Sequence, residues 1–285
     1  MERIIVGVDG SAGSEEALRW AHEEARLRGA ALTAVLAWNF LDQIHADGEH
    51  RFDPDYGEGP AQAALDAAVE RALGAGATEV ERRVVCDLPS NALLDAAAEA
   101  DLLVVAARGL GAFRGLVLGS VSQRCLEHAT CPVVVVHAGA PHGDGRRIVV
   151  GVDGSQHATS ALRWAAAEAR VRGCELCVVH AWELPYASEL AFVGGAFAAV
   201  EGAAETVLSE VLAEAGLSRD EVEAHVVHAT PAAAILDAAD GADLVVVGSR
   251  GRGGFTGLLL GSVSHQVSRH AACPVVVVPP PAPVA

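Results

Sequence analysis

Lysine is missing from this chain. All 20 of its basic side chains are arginine, against 37 acidic ones, and the formal charge is −17. A Walker-type phosphate loop, a Schiff base and a pyridoxal anchor each require a lysine amine, so all three are excluded. Any anion the chain holds must therefore be held by backbone N–H groups, arginine or a metal. The small basic complement also argues against nucleic acid as a partner, because neutralising phosphates takes a basic field. Long apolar runs are missing too. No stretch of about 18 consecutive apolar residues occurs, so no membrane span is expected. The opening Met1-Glu2-Arg3 before Ile4-Ile5-Val6-Gly7 is too short to read as a signal peptide.

Cysteine is sparse and placed inside apolar segments: Cys86, Cys125, Cys131, Cys174, Cys177 and Cys273. With no export signal in view, reduced thiols and a cytoplasmic location are expected. The run Cys174-Glu-Leu-Cys177-Val-Val-His180 looks like a metal motif but reads as a strand. Side chains alternate along a strand, so 174 and 177 face opposite ways and 174 and 180 stand roughly 20 Å apart. Core packing accounts for these residues without an ion.

What the chain has is repetition. Ile4–Leu32 laid on Ile148–Leu176 matches at 18 of 29 positions, and Leu102–Val136 on Leu244–Val278 at 22 of 35. Two copies of one domain, at 1–138 and 146–280, are joined by a Gly- and Pro-containing linker at 139–145. Within the first copy, β-rich runs near 3–8, 31–38, 79–86, 102–107 and 132–137 alternate with helical patterns near 14–28, 60–74, 89–99 and 120–129. The second copy repeats the strands near 147–152, 175–182, 221–228, 243–248 and 274–278. Strands such as Leu244-Val-Val-Val-Gly248 are apolar throughout, as when helices cover both faces. Such alternation requires right-handed crossovers, and the fold class predicted is α/β: two doubly wound, five-stranded parallel sheets of Rossmann-like type. Pro89 and Pro231 fall at helix starts, where a missing N–H costs nothing. The connections near 39–59 and 183–196 are the least regular and suit a lid or mobile loop.

Ligands of doubly wound sheets bind outside the carboxyl ends of the strands, where strand order reverses. Two segments of each copy arrive there. One is the end of the first strand, with Asp9 or Asp153 followed by Gly-Ser. The other follows the fourth strand, in the second copy Gly248-Ser-Arg250-Gly251-Arg252-Gly253 and onward to Gly261-Ser262-Val263-Ser264. Glycines admit a ligand close to the backbone, and a helix start offers free N–H groups and a positive dipole end, a phosphate site that needs no lysine. Arg250 and Arg252 can add cationic contacts. Two readings of the aspartate stand side by side: an acceptor for the donor groups of a nucleoside, or a brace for the turn after the strand. Ser262 likewise reads as a helix cap, a phosphate contact, or both.

These residues resemble a known family. Val-Gly-Val-Asp-Gly-Ser at each start, the Gly-x2-Gly-x9-Gly-Ser loop and Cys-Pro-Val-Val-Val-Val at each end look like a tandem universal stress protein, over nearly the whole chain. The resemblance implies an adenine nucleotide alpha hydrolase-like sheet and, in the nucleotide-binding branch, ATP as ligand with magnesium as an optional companion. In the second copy the implied contacts are Asp153, Gly248, Arg250, Gly251, Arg252, Gly253, Gly261, Ser262, Val263 and Ser264, with the backbone of Ala181 meeting the adenine. In the first they are Asp9, Ala37, Arg108, Gly109, Gly111, Gly119, Ser120, Val121 and Ser122. Ala106 stands where the first glycine of the loop belongs, and Leu110 replaces Arg252. If that glycine position needs positive φ, the Cβ of Ala106 costs on the order of 1 kcal/mol, and the second site is expected to bind more tightly. Pairing of the two copies within the chain and homodimerisation through the last strands are also implied.

A nucleotide-binding stress or signalling module, not a turnover enzyme, is the function expected. No nucleophile–base pair stands out near the loop, and His128, His180 and His270 read as structural. Slow hydrolysis through Asp153 and a nucleotide-free interaction protein with vestigial sites are the alternatives.

Overall fold

The computed structural model describes residues 1–40, 42–47, 51–109, 118–139, 146–183, 196–253 and 259–280. It divides into two units, 1–140 and 141–285. The first unit runs β1 (Arg3–Gly7), α1 (Ala12–Arg28), β2 (Ala31–Trp38), α2 (Glu58–Leu73), β3 (Val80–Cys86), α3 (Pro89–Ala97), β4 (Leu102–Ala106), α4 (Ser120–His128) and β5 (Val133–Val136). The second runs β6 (Arg147–Val152), α5 (Gln156–Arg172), β7 (Glu175–Trp182), α6 (Ala196–Ala215), β8 (Glu223–His228), α7 (Pro231–Ala238), β9 (Leu244–Gly248), α8 (Ser262–His270) and β10 (Val275–Val278). Short 3-10 turns precede β3 and β8. Among the described residues no helix is long and apolar enough to cross a membrane.

Within the first unit the strand order is β3-β2-β1-β4-β5, and within the second β8-β7-β6-β9-β10, with parallel neighbours. The α/β class and doubly wound sheets read from the sequence are what the structure shows. The apolar strands β4, β5, β9 and β10, rich in valine and leucine, are buried at every position. One helical layer covers each face: α1 packs beside α2 and α3 beside α4, and the second unit repeats this with α5 beside α6 and α7 beside α8. The outer strands β3 and β8 are partly exposed along much of their length.

Local chemistry sets the helix boundaries. α1 starts two residues earlier than the periodicity suggests, because the Ser11 side chain caps it by accepting the N–H of Ser14 at 3.1 Å. Ser155 caps α5 in the same way, through the N–H of Ala158 at 3.2 Å. Pro89 and Pro231 open α3 and α7.

The connection after β2, expected to be a lid, is tied down in the first unit where it is described. Gln43 accepts the N–H of Asp53 at 2.6 Å and donates to the carbonyls of Asp53 and Phe40, each at 3.0 Å. The Tyr56 hydroxyl bonds the backbone of Ile44, and Phe40 meets Phe52 edge-on. Residues 184–195 of the counterpart lie outside the described residues.

Two fully buried carboxylates sit among the alanines of α1 and α5. Glu24 and Glu168 are 0% exposed, and each pairs with an arginine one turn on, Arg28 and Arg172. A buried pair is balanced only while both partners remain. Arg172→Met is therefore expected to destabilise the second unit by about 3 kcal/mol, read as a lower urea midpoint, because it removes the guanidinium paired with the buried Glu168 carboxylate.

Candidate functional site

In each unit the chain leaves β1 or β6 toward one edge of the sheet, through β2 or β7, and then returns to its other side at β4 or β9. Strand order reverses here, and the crevice above the reversal belongs to the turn after the first strand and the loop after the fourth. Asp9 and Asp153 occupy that turn, both half-buried. The glycine that follows each adopts φ of +76° at Gly10 and +77° at Gly154, a backbone that suits glycine alone.

The aspartates do brace the turn. Asp153 Oδ1 accepts the N–H of Ser155 at 3.0 Å, and Asp9 Oδ1 accepts the N–H of Ser11 at 3.0 Å and its hydroxyl at 2.6 Å. In the second unit the other oxygen, Oδ2, reaches across the crevice and accepts the N–H of Arg252 at 2.7 Å. The loop glycines stand hard against these carboxylates. A Cβ on Gly109 would overlap Asp9 Oδ2, and one on Gly251 would overlap Asp153 Oδ2.

The helices that follow the loop begin without a side-chain cap. The N-cap residues of α4 and α8 are Gly119 and Gly261, in extended conformation, so Ser120 and Ser262 are the first helical residues, and Ser262 is not the cap the sequence suggested. Each glycine N–H is spent on the strand end, Gly119 on Ala107 and Gly261 on Ser249, both at 2.7 Å. Helix geometry leaves the N–H groups of the first turn, from Ser120 to Ser122 and from Ser262 to Ser264, without an intrahelical acceptor. Ser120 and Ser262 are exposed, and Val121 and Val263 half-buried.

Ser122 and Ser264 turn inward. Their hydroxyls donate to the carbonyls of Ala106 and Gly248, each at 2.6 Å, with residue exposures of 4% and 3%. These side chains latch the helix start to the strand end, which leaves only their main-chain N–H groups for a ligand.

Arg108, Gly251, Arg252 and Gly253 are exposed, Arg250 and Gly109 half-buried, and Gly111 lies outside the described residues. Ala37 and Ala181 sit near the ends of β2 and β7. The β6–β7 register ends at Val152 and His180, so the flank of Ala181 toward Asp153 lies beyond the ladder. His180 itself is buried, its Nδ1 2.8 Å from the Val152 carbonyl, a structural clip as expected.

The departure at Ala106 has a different cause from the one the sequence suggested. Neither Ala106 nor Gly248 has positive φ. What Gly248 accommodates is the α5 backbone: a Cβ there would lie 2.9 Å from the carbonyl carbon and oxygen of His157. In the first unit the place of His157 is taken by Gly13, where an added Cβ would lie 2.9 Å from the Arg108 carbonyl oxygen and 3.5 Å from the Cβ of Ala106. The two copies thus differ at both positions of this helix–strand contact, Gly13 with Ala106 in one and His157 with Gly248 in the other. Reading the repeats as pairs of positions, and not column by column, would have exposed this.

His157, missed by the sequence reading, thus stands at the site. Burial lowers its pKa below the usual 6.5, the Arg250 charge lowers it further, and Asp153 opposes both. Its Nε2 is buried without a hydrogen-bond partner.

Cys177 meets not Cys174 but β8: its Sγ and ligand atoms of Glu223 and His225 all lie within 4.8 Å of one another. The Arg147 guanidinium is 3.1 Å from that Sγ and 3.0 Å from Glu223, so arginine supplies the positive charge at this cluster. All six cysteines are free, and burial pushes the thiols of Cys125 and Cys273 up to about 12 and that of Cys131 to about 11.

Two outcomes follow from the His157 contact. Gly248→Ala is expected to destabilise the second unit by about 1–3 kcal/mol, read in a thermal scan, through overpacking against the His157 main chain. Because the folded state favours neutral His157 while the unfolded chain takes up a proton near pH 6.5, stability is lost as pH falls from 7 through that value. The His157→Asn variant should lose less over the same window, measured by urea midpoints.

Comparison with known proteins agrees with this architecture. The model of the Universal stress protein family matches residues 1–137 and again 145–279. The universal stress protein Rv2623 of Mycobacterium tuberculosis is 37% identical over 284 residues, covering 96% of this chain and 95% of the relative. Universal stress protein Mb2028c of Mycobacterium bovis is 35% identical, covering 96% of each. Among solved structures, a universal stress protein from Archaeoglobus fulgidus shares the fold with a TM-score of 0.65 at 21% identity, covering 98% of this chain and 97% of its own. Two family domains in tandem, each carrying the strand-end aspartate and the glycine-opened helix, make this chain a member of the universal stress protein family.

Proposed function

We propose that the protein binds adenine nucleotide, with ATP as the ligand, and serves a stress or signalling role without turnover as its purpose. One observation carries the reading: at the strand-order reversal α8 opens on a glycine cap with no side-chain bond, and the loop leading to it is held to the Asp153 carboxylate through the Arg252 amide. Helix amides left open in this way suit phosphate oxygens, and Arg250 and Arg252 stand on the same loop to add charge-assisted contacts. Asp153 keeps acceptor capacity for ribose hydroxyls or an amino edge, since an ionised carboxylate offers about four lone-pair sites. The Ala181 main chain lies past the end of the β6 ladder, which supports its assignment to the base of the nucleotide. Bound nucleotide would supply its own charge and its phosphoanhydride; the chain supplies amides, guanidinium groups and a carboxylate.

A binding role suits the side chains better than catalysis. Ser264 gives its hydroxyl to Gly248 and His180 faces the Val152 carbonyl, so neither belongs to a nucleophile–base pair. The second copy is proposed as the stronger site, because its loop carries Arg252 where the first carries Leu110. The turn of the first copy is covered by an apolar side chain, Ile44, 3.3 Å from where a Cβ on Gly10 would stand. Six unpaired cysteines suit a reducing compartment, and a cytoplasmic location is part of the proposal.

Mass spectrometry of a denatured extract of the freshly purified chain is expected to release adenine nucleotide, and calorimetry to show micromolar-range ATP binding that falls at least tenfold in Asp153→Ala. A chain that releases none and binds none would instead be an interaction protein with vestigial sites. Hydrolysis above the spontaneous rate that vanishes in Asp153→Asn would turn the binder into a slow ATPase.

A further inference from the structure

Arg252 holds the second unit's crevice by two different groups. Its main-chain N–H goes to Asp153 Oδ2 at 2.7 Å, and its Nη2 donates to the Gly154 carbonyl at 3.1 Å. The guanidinium lies against the turn, so that a Cβ on Gly154 would overlap both Nη2 and Cζ. Val207 of α6 crowds the same position, its Cγ1 2.9 Å from that Cβ. The turn that carries the candidate nucleoside acceptor is thus covered by a helix side chain together with a cationic one. That side chain is otherwise exposed and is bonded there to a neutral carbonyl.

We infer that Arg252 makes this site selective for phosphorylated over unphosphorylated nucleosides: its guanidinium covers the turn beside Asp153 until a ligand phosphate draws it away. The inference rests on the nucleotide reading above and names the group that enforces it. A nucleoside reaching Asp153 has to break the Arg252–Gly154 bond and returns nothing to the guanidinium. A nucleotide replaces one bond to a neutral carbonyl with charge-assisted, potentially bidentate bonds to phosphate oxygens, which are roughly twice as strong. Arginine suits the part because its planar fork serves a carbonyl in one position and a phosphate in the other. The amide that grips Asp153 belongs to the backbone, so a substitution at 252 removes the cover and keeps the clamp. The first copy has Leu110 at this place in its sequence, so the discrimination belongs to the second copy.

Calorimetry on the full chain with adenosine and with ATP, separately, tests this. In Arg252→Ala, ATP is expected to bind about tenfold more weakly and adenosine about tenfold more tightly, the latter from losing one charged hydrogen bond to the carbonyl. The adenosine gain should disappear when Asp153→Ala is added, which assigns it to the second copy. Arg252→Lys, which keeps the charge but not the fork, should fall between wild type and Arg252→Ala for both ligands. Weaker ATP with unchanged adenosine would make Arg252 a plain phosphate ligand and overturn the cover. Unchanged affinities for both would overturn any role at this site while leaving nucleotide binding intact. No binding of either ligand by wild type or variants would sink the nucleotide reading itself. A thermal scan of each variant confirms that the fold is retained.

Discussion

The structure turns on a single close approach, the carboxylate at the end of the first strand held against the loop at the end of the fourth. Asp153 joins its own turn to the Arg252 amide across two adjacent strands. Everything near it is shaped by that distance. The loop passes so near the carboxylate that only glycine fits at 109 and 251. The helix that follows is then started from the strand end itself, with a glycine N–H and a buried serine hydroxyl bonded to consecutive carbonyls. A helix fastened from behind has no need of a side-chain cap in front, and its first amides face the crevice.

The two copies keep this arrangement and differ around it. Where helix and strand meet beneath the crevice, each copy has a crowded glycine: Gly13 lies close to the Arg108 carbonyl in the first, Gly248 to the His157 main chain in the second. The second copy also brings an imidazole with a lowered pKa beside Arg250 and Asp153. What covers the turn also differs, Ile44 in one copy and the Arg252 guanidinium in the other. An apolar cover and a charged one respond to different ligands, which is the physical basis for expecting unequal sites in a protein built by duplication.

Charge is distributed with the same economy. The chain is strongly acidic overall, yet the crevice of the second unit gathers two guanidinium groups and the positive end of a helix. Elsewhere arginine answers carboxylates: Arg28 and Arg172 pair with glutamates of no exposure, and Arg147 bridges Cys177 and Glu223. With lysine absent, each cation is a planar, permanently charged fork, which favours fixed pairings over titration.

The sequence by itself determined the duplication, the order of strands and helices, the parallel sheet and the two segments that meet at the strand-order reversal. These follow from periodicity, from apolar runs and from glycine and proline punctuation, all of which act between near neighbours in the chain. Only the tertiary structure decided how the meeting is made. It showed that Ser264 points inward, that Gly261 and not Ser262 is the cap, that Asp153 clamps a residue 99 positions away, and that Gly248 is small on account of His157. Each of these depends on ångström-scale distances between side chains and backbones brought together by strand pairing, and no local pattern records such distances.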